Sequence, residues 1–280
     1  MSKFVGMVER SRAVLRMAGS DARTVLQDVV TNDVDAVAPG QAVYAALLTP
    51  QGKYLCDFFL LNDGGNGLLI DVAITQAEDL ARRLQMYSLR RDVKLSHAKE
   101  LEIALVWSSG GAVNAPATGS EDVFVSDPRL PSLGWRRYGP AAEDWLAKSE
   151  IEPAGDSDWA AFRIEHAVPE SGVELVPNET FILEAGFERL SGVDFRKGCY
   201  VGQEVTARMK HKTELRKGLV RVEVDGELPP GTALLSGGKP AGTLYSNHAG
   251  QGLAHLRFDR ASEGMEADGT RVSMVAETPV

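Results

Sequence analysis

The chain has 280 residues, 44% of them hydrophobic and 25% charged, with a formal net charge of -9. That is enough chain to bury a core without staples, and an acidic balance that argues against broad nucleic-acid binding. Two cysteines, Cys56 and Cys199, form neither a disulfide framework nor a CxxC metal spacing. A reducing, bacterial-type cytoplasm is the expected setting. No apolar run approaches the roughly 20 residues that span a bilayer. Residues 1–16 lack the apolar stretch of a secretory signal. Arg10, Arg12 and Arg16 hint at a transit peptide, yet the stretch from Arg12 already reads as a strand.

In residues 12–17, Ala13, Leu15 and Met17 share one face at period two, which predicts that strand. Ser20 offers an N-cap to a helix with apolar Ala22, Val25, Leu26 and Val29, ended by Asn32 and Asp33. Buried strands are expected over 43–48 and 54–61, around a turn at Pro50-Gln-Gly52. The loop Asp63-Gly-Gly-Asn-Gly67 leads into a strand over 68–72. Thr75-Gln-Ala-Glu78 has the form of a capping box, and the helix after it aligns Ala77, Leu80, Ala81, Leu84 and Tyr87. Strands follow over 93–95 and 101–107, a Gly-, Ala- and Ser-rich loop over 108–122, and helices over 141–149 and 157–166.

From Gly218 the character changes. Short alternating runs at 219–224, 233–235, 242–245, 253–258 and 271–275 lie between Gly- and Pro-rich turns, the pattern of a small antiparallel barrel or sandwich. Hairpin-connected strands mixed with helices predict an α+β chain rather than a doubly wound one. No G-x-G-x-x-G follows the first strand. The domain division is set at 1–214, an α+β region of two subdomains, and 215–280, the barrel.

The densest chemistry lies in Phe195-Arg-Lys-Gly-Cys-Tyr-Val-Gly-Gln-Glu204. Gly198 and Gly202 permit unusual backbone angles or the close approach of a ligand. Arg196 and Lys197 beside Cys199 would favour its thiolate. Tyr200 can stack on a planar ring, and Gln203 and Glu204 supply acceptors. A tight turn entering a helix, with an inert buried cysteine, is an equal reading on physical grounds alone. The five histidines are scattered, so no spacing supports a Cys-His hydrolase or a metal site. Arg208, Lys210 and Lys212 begin a basic cluster with Arg216 and Lys217, read either as solvated surface or as an anion or partner patch. Gly237-Gly-Lys239 lacks the Walker spacing and reads as a hairpin turn.

The block Lys197-Gly-Cys-Tyr-Val-Gly-Gln-Glu204, with Val205-Thr-Ala-Arg208 after it, resembles the signature of the YgfZ family. That family is related to the aminomethyltransferase of the glycine cleavage system and includes mitochondrial iron–sulfur assembly factors. The stretch from Gly19-Ser-Asp-Ala22 through Leu26 to Val30-Thr-Asn-Asp33, the turn Thr49-Pro-Gln-Gly-Lys53, and the segments Arg163-Ile-Glu165 through Pro169, Glu174 and Pro177-Asn-Glu179 are similar as well. The resemblance runs from about residue 10 to about residue 260. It implies a GcvT-like folate-binding fold, a ring-like three-part arrangement of ferredoxin-like α+β parts and a C-terminal β-barrel. It implies tetrahydrofolate or a one-carbon derivative as ligand, with Arg163, Glu165 and Tyr200 as contacts. It also implies partners among iron–sulfur assembly proteins or client enzymes, an indirect effect on tRNA modification, and Cys199 as the reactive residue. The related transferases carry paired aspartates where this chain reads Cys56-Asp57, which favours an accessory factor over a glycine-cleavage enzyme. The alternatives are a folate-dependent one-carbon transferase and an RNA-binding protein acting in tRNA modification. Neither a membrane, a metal nor direct nucleic-acid contact is expected.

Overall fold

The computed structural model describes residues 4–65, 67–108, 122–212, 214–261 and 264–275. The chain divides into two compact units. The first comprises residues 1–48, 56–155 and 190–201, and the second residues 49–55, 156–189 and 202–280. The first unit holds most of two five-stranded sheets. One has β1 (Val5–Val8), β7 (Glu102–Trp107), β8 (Val123–Ser126), β9 (Trp135–Gly139) and β10 (Glu152–Pro153) in the order β10-β1-β7-β9-β8. The other has β2 (Arg12–Ala18), β3 (Ala42–Leu48), β4 (Tyr54–Asn62), β5 (Leu68–Ala73) and β6 (Lys94–His97) in the order β3-β4-β5-β2-β6. Strand β1 pairs in parallel with β10, and the registers of β2 with β5 and β6 and of β4 with β5 are antiparallel. The α+β class expected from adjacent hairpins is the one observed.

The helices α1 (Ala22–Val29), α2 (Ala77–Tyr87) and α3 (Ala142–Lys148) belong to this unit, and α4 (Asp156–Glu165) and α5 (Gln203–Lys212) to the second. Helix α1 buries Ala22, Val25, Leu26 and Val29, the apolar set read from its spacing. Two expected caps are corrected. Asp21, not Ser20, is the N-cap of α1, because Ser20 is held by the Asp92 carboxylate at 2.9–3.0 Å. The Thr75–Glu78 capping box does not form either. Helix α2 starts at Ala77 behind Gln76, with no side-chain cap. Gly19, at φ 119°, lets the chain pass Asp92 so closely that a Cβ would lie 2.1 Å from its carbonyl oxygen. The expected loop over 108–122 lies, from 109 to 121, outside the described residues.

In the second unit six strands close a barrel in the order β11-β14-β13-β12-β15-β16. These are β11 (Lys217–Val224), β12 (Thr232–Ser236), β13 (Lys239–His248), β14 (Gln251–Arg257), β15 (Met265–Ala267) and β16 (Thr270–Met274). Five were foreseen as runs of alternating residues, and β15, three residues long, was not. Closure removes the open edges that such short strands would otherwise expose. Val220, Val222, Leu234, Leu244, Leu256 and Met265 fill its interior. Ile164 of α4 and the following Ala167 pack on Leu219 and Leu253.

The two sheets of the first unit meet across buried charges rather than apolar contacts alone. Arg136 on β9 donates from Nη1 to Asp71 on β5 and from Nε to Asp127 after β8, each at 3.1 Å. Tyr138 donates to the same Asp71 oxygen at 2.6 Å, Arg12 pairs with Asp71, and Arg129 grips Asp127 with two side-chain nitrogens at 2.8 and 3.0 Å. The guanidinium carbons of Arg136, Arg12 and Arg129 stand 4.0, 5.0 and 5.0 Å from the centre of the Phe59 ring, within cation–π range. Removing one partner of a buried ion pair strands the other charge. Asp127→Ala is therefore expected to lower unfolding free energy by about 3–5 kcal/mol, read as a shift in urea midpoint at constant m. Burial alone would raise the Asp127 pKa, but Arg129 and Arg136 outweigh it and hold the carboxyl far below the ordinary range. A folded pKa below the unfolded one makes this stabilisation complete above about pH 4 and progressively lost in acid. The acid limb of the stability profile should flatten in the variant, and an unchanged limb would contradict the assignment.

Candidate functional site

The candidate block begins in the first unit and ends in the second, which takes up the chain at Gly202. Its first half is fixed by the end of α1. A helix leaves its last carbonyls without intrahelical donors, and a cation there is favoured by the helix dipole. Lys197 supplies it. Its Nζ donates to the carbonyls of Gln27, Val30 and Asn32 at 2.8, 2.6 and 2.9 Å. Thr31 Oγ1 donates to the Gly192 carbonyl at 2.7 Å, and Asn32 Nδ2 to those of Tyr44 and Ser191 at 2.8 and 2.6 Å. The Thr31-Asn32-Asp33 motif and the Lys197 motif, 165 positions apart at the Lys197–Asn32 bond, are thus two halves of one construction.

This changes the part played by Lys197. An ammonium has three protons, and all three are directed at carbonyls, not at the Cys199 sulfur. Burial pushes its pKa down to about 8, opposed chiefly by Asp33 and Asp194. Arg196 is almost wholly exposed, with its nearest carboxylate, Asp194, at 3.8 Å. Cys199 is exposed. Tyr200 is buried, its ring centre 5.4 Å from the Lys197 ammonium. Of the two glycines expected to need special backbone, only Gly202 does, at φ 84°. Gly198 has ordinary φ, and a Cβ there would meet nothing within 4 Å.

Gln203 and Glu204 open α5 in the second unit. Arg208 pairs one turn back with Glu204 at 3.0 Å, and Lys210 pairs with Glu188. Two cations of the expected anion patch therefore already face carboxylates. The side chain of Lys212 lies outside the described ones.

Arg163 is not a solvated helix residue. It is buried, with Nη1 at 3.1–3.2 Å from both Glu174 carboxylate oxygens and Nη2 at 2.8 Å from Ser246 Oγ. Glu165, two positions along the same helix, is exposed. Beside Glu174 opens a cavity of about 200 Å³, lined among others by Lys53, Glu179, Glu184, Lys217, Tyr245 and His255. His255 Nε2 lies 3.1 Å from Glu184, and the Lys53 ammonium stands 3.3 Å from the Phe181 ring centre. Sites that enclose drug-sized ligands occupy about 300–1,000 Å³, so this cavity is smaller than that class. Sequence reading did not assign Ser246, Glu184 or His255, since each meets its partner across 71 residues or more.

The Cys56-Asp57 pair lies on β4, where successive side chains point to opposite faces. The Cys56 thiol is buried and pushed well up, by burial first and by the Asp57 charge second. Asp57 is buried and accepts from the Tyr44 hydroxyl at 3.0 Å. Among the described residues no group of three or more His, Cys, Asp or Glu could hold a metal ion, and no helix is long and apolar enough to cross a membrane.

Comparison with known proteins gives this geometry a lineage. Residues 2–106 match the GCVT N-terminal domain, and residues 216–278 the CAF17 C-terminal beta-barrel domain. The mouse protein named iron–sulfur cluster assembly factor IBA57, mitochondrial, is 30% identical over 96% of this chain and 82% of its own length. The chain belongs to the IBA57 family. The human IBA57 is 28% identical over the same shares, and the homologue from the fungus Pyricularia oryzae 34% identical over 75% of this chain. The chain spans 55% of the length of that fungal protein and 57% of the Mycosarcoma maydis one. A crystal structure of the glycine cleavage system aminomethyltransferase T from Bartonella henselae matches 99% of this chain and 86% of its own, at TM-score 0.80 and 15% identity. The fold is therefore GcvT-like.

The resemblance to YgfZ holds at the level of this wider GcvT-related group, and the family reached by sequence is IBA57. The expectation of a bacterial-type cytoplasmic setting is corrected, because the IBA57 relatives carry mitochondrial names. The two cysteines of this IBA57 family chain should differ sharply in reactivity. Iodoacetamide is expected to alkylate Cys199 in the folded protein and to reach Cys56 only in denaturant, by peptide mass spectrometry. Rapid labelling of Cys56 without denaturant would contradict its burial.

Proposed function

We propose that this chain is an accessory factor for assembly or repair of iron–sulfur enzymes, and that Cys199 is the residue that meets a cluster-bearing partner. One observation carries the reading. In a chain of the IBA57 family, the thiol of the 197–204 block is exposed, and the backbone just before it is anchored to α1. Thiolates are the usual ligands of iron–sulfur clusters. The relatives are named cluster assembly factors, which supports the same role here. The partners proposed are assembly proteins or client enzymes. Any effect on tRNA modification is indirect, through modifying enzymes that themselves carry clusters.

We propose further that the chain binds tetrahydrofolate or a one-carbon derivative. The residues present fit it in part. Glu165 is exposed, and its carboxylate can accept two hydrogen bonds from an aminopyrimidine edge. Arg163 is less suited to direct contact, since its donors face Glu174 and Ser246. Its part is to hold α4, and Glu165 with it, in place. Tyr200, as a buried ring, would offer an edge rather than an open face.

In a deletion strain, Cys199→Ala is expected to leave iron–sulfur enzyme activity near the deletion level, while the purified variant keeps its melting temperature. Full complementation would remove the thiol from the mechanism. Calorimetry with tetrahydrofolate is expected to show binding to the wild type and at least tenfold weaker binding to Glu165→Ala, a loss of about 1.4 kcal/mol. No heat with the wild type would end the folate proposal and leave the assembly role standing.

A further inference from the structure

Among the described residues the large apolar side chains that stand exposed are Ile74, Met86, Tyr87, Leu89 and Met274. Three of the five fall within four positions, at the C-terminal end of α2, and Leu89 is 75% exposed. The core face read from the spacing stays inward until its last position, Tyr87, which is exposed. Ala77, Leu80 and Leu84 already fill that face. The next residue, Arg90, takes a left-handed φ of 68°, which costs an L side chain strain. Arg90 and Arg91 are both exposed and make no side-chain ion pair or hydrogen bond among the described residues.

Of the five cations between positions 82 and 94, Arg82 and Arg83 pair with Asp79, which leaves Arg90, Arg91 and Lys94 beside Asp92, in a chain of net charge -9. An apolar centre of Met, Tyr and Leu beside unpaired arginines has the make-up of a protein–protein hot spot. The local charge selects a partner that is acidic where it touches. A lipid surface is less well served, because a helix that lies in a membrane needs a long apolar stripe, and here the stripe of α2 is buried. A single half-exposed tyrosine gives single-stranded RNA little to stack on.

The patch is also tied to the candidate site. Asp92 accepts from Ser20 at the start of α1, and its amide donates to Asp21 at 2.8 Å. Lys197 holds the other end of that helix. Eight residues at about 1.5 Å each separate the two anchors by about 12 Å.

We propose that Met86, Tyr87, Leu89, Arg90 and Arg91 form the docking surface for the acidic face of a small cluster-carrying protein. The choice of partner rests on the assembly reading, whereas the patch itself does not. The test uses the full chain and a purified acidic [2Fe–2S] ferredoxin, with and without its cluster, in biolayer interferometry. Binding is expected, weakening as salt rises. Leu89→Ser and Arg91→Glu should each weaken it at least tenfold with melting temperatures unchanged. Absence of ferredoxin binding, or wild-type binding by both patch variants, overturns the proposal. Patch-dependent binding of phosphatidylserine vesicles or of tRNA in place of ferredoxin overturns it too. If docking follows the patch but Cys199→Ala complements fully, the assembly reading of Cys199 fails and the docking surface stands.

Discussion

Arg136 is the joint on which the first unit turns. It reaches Asp71 in one sheet and Asp127 in the other from a single guanidinium. Asp71 has Arg12 within its own sheet and Asp127 has Arg129 two residues away, and Arg136 binds both carboxylates together. Three arginines and two aspartates, arranged round Phe59, therefore demand one relative placement of the two sheets. An apolar interface of the same area would tolerate sliding. A set of directional, charge-assisted bonds does not. The cost is desolvation, and it is met only when every partner is present.

That precision matters because the candidate site is built from distant pieces of chain. Strand β3 carries Tyr44, whose carbonyl accepts from Asn32. Asn32 and Thr31 hold the backbone at Ser191 and Gly192, and Lys197 then closes the end of α1. The exposed Cys199 follows two residues later. The lysine that sequence adjacency suggests as an activator of the thiol is instead the anchor of its backbone. Adjacency in sequence puts a charge near a sulfur, but the side chain goes where unpaired carbonyls are.

Much of this was legible beforehand. A period-two run located β2, apolar runs located β3, β4, β5 and β7, alternating runs located five strands of the barrel, and the spacing of Ala22, Val25, Leu26 and Val29 located α1. What resisted reading has a physical pattern. Strands β1, β8 and β9 gave no clean signal. In β9, Arg136 and Arg137 are buried in a segment whose sequence looks polar. The expected caps failed because α1 starts behind Asp21 and α2 behind Gln76, while the Ser20 amide and hydroxyl both donate to Asp92, 72 positions away. In the site, Glu165 was assigned from a resemblance, but the buried carboxylate opposite Arg163 is Glu174, with Ser246 from the barrel. No local pattern announces such a partner.

The contrast between the two cysteines bears on what chemistry the chain can do. Cys56 sits in a central strand of its sheet, buried, with a thiol that resists ionisation. The carboxylate beside it is held by Tyr44 from the neighbouring strand. Cys199 lies in a non-repetitive stretch and is open to solvent. A thiol that is rigidly placed at its backbone but free at its sulfur suits an exchange with another protein better than turnover within a closed site. Of the two thiols, Cys199 is the one that solvent reaches.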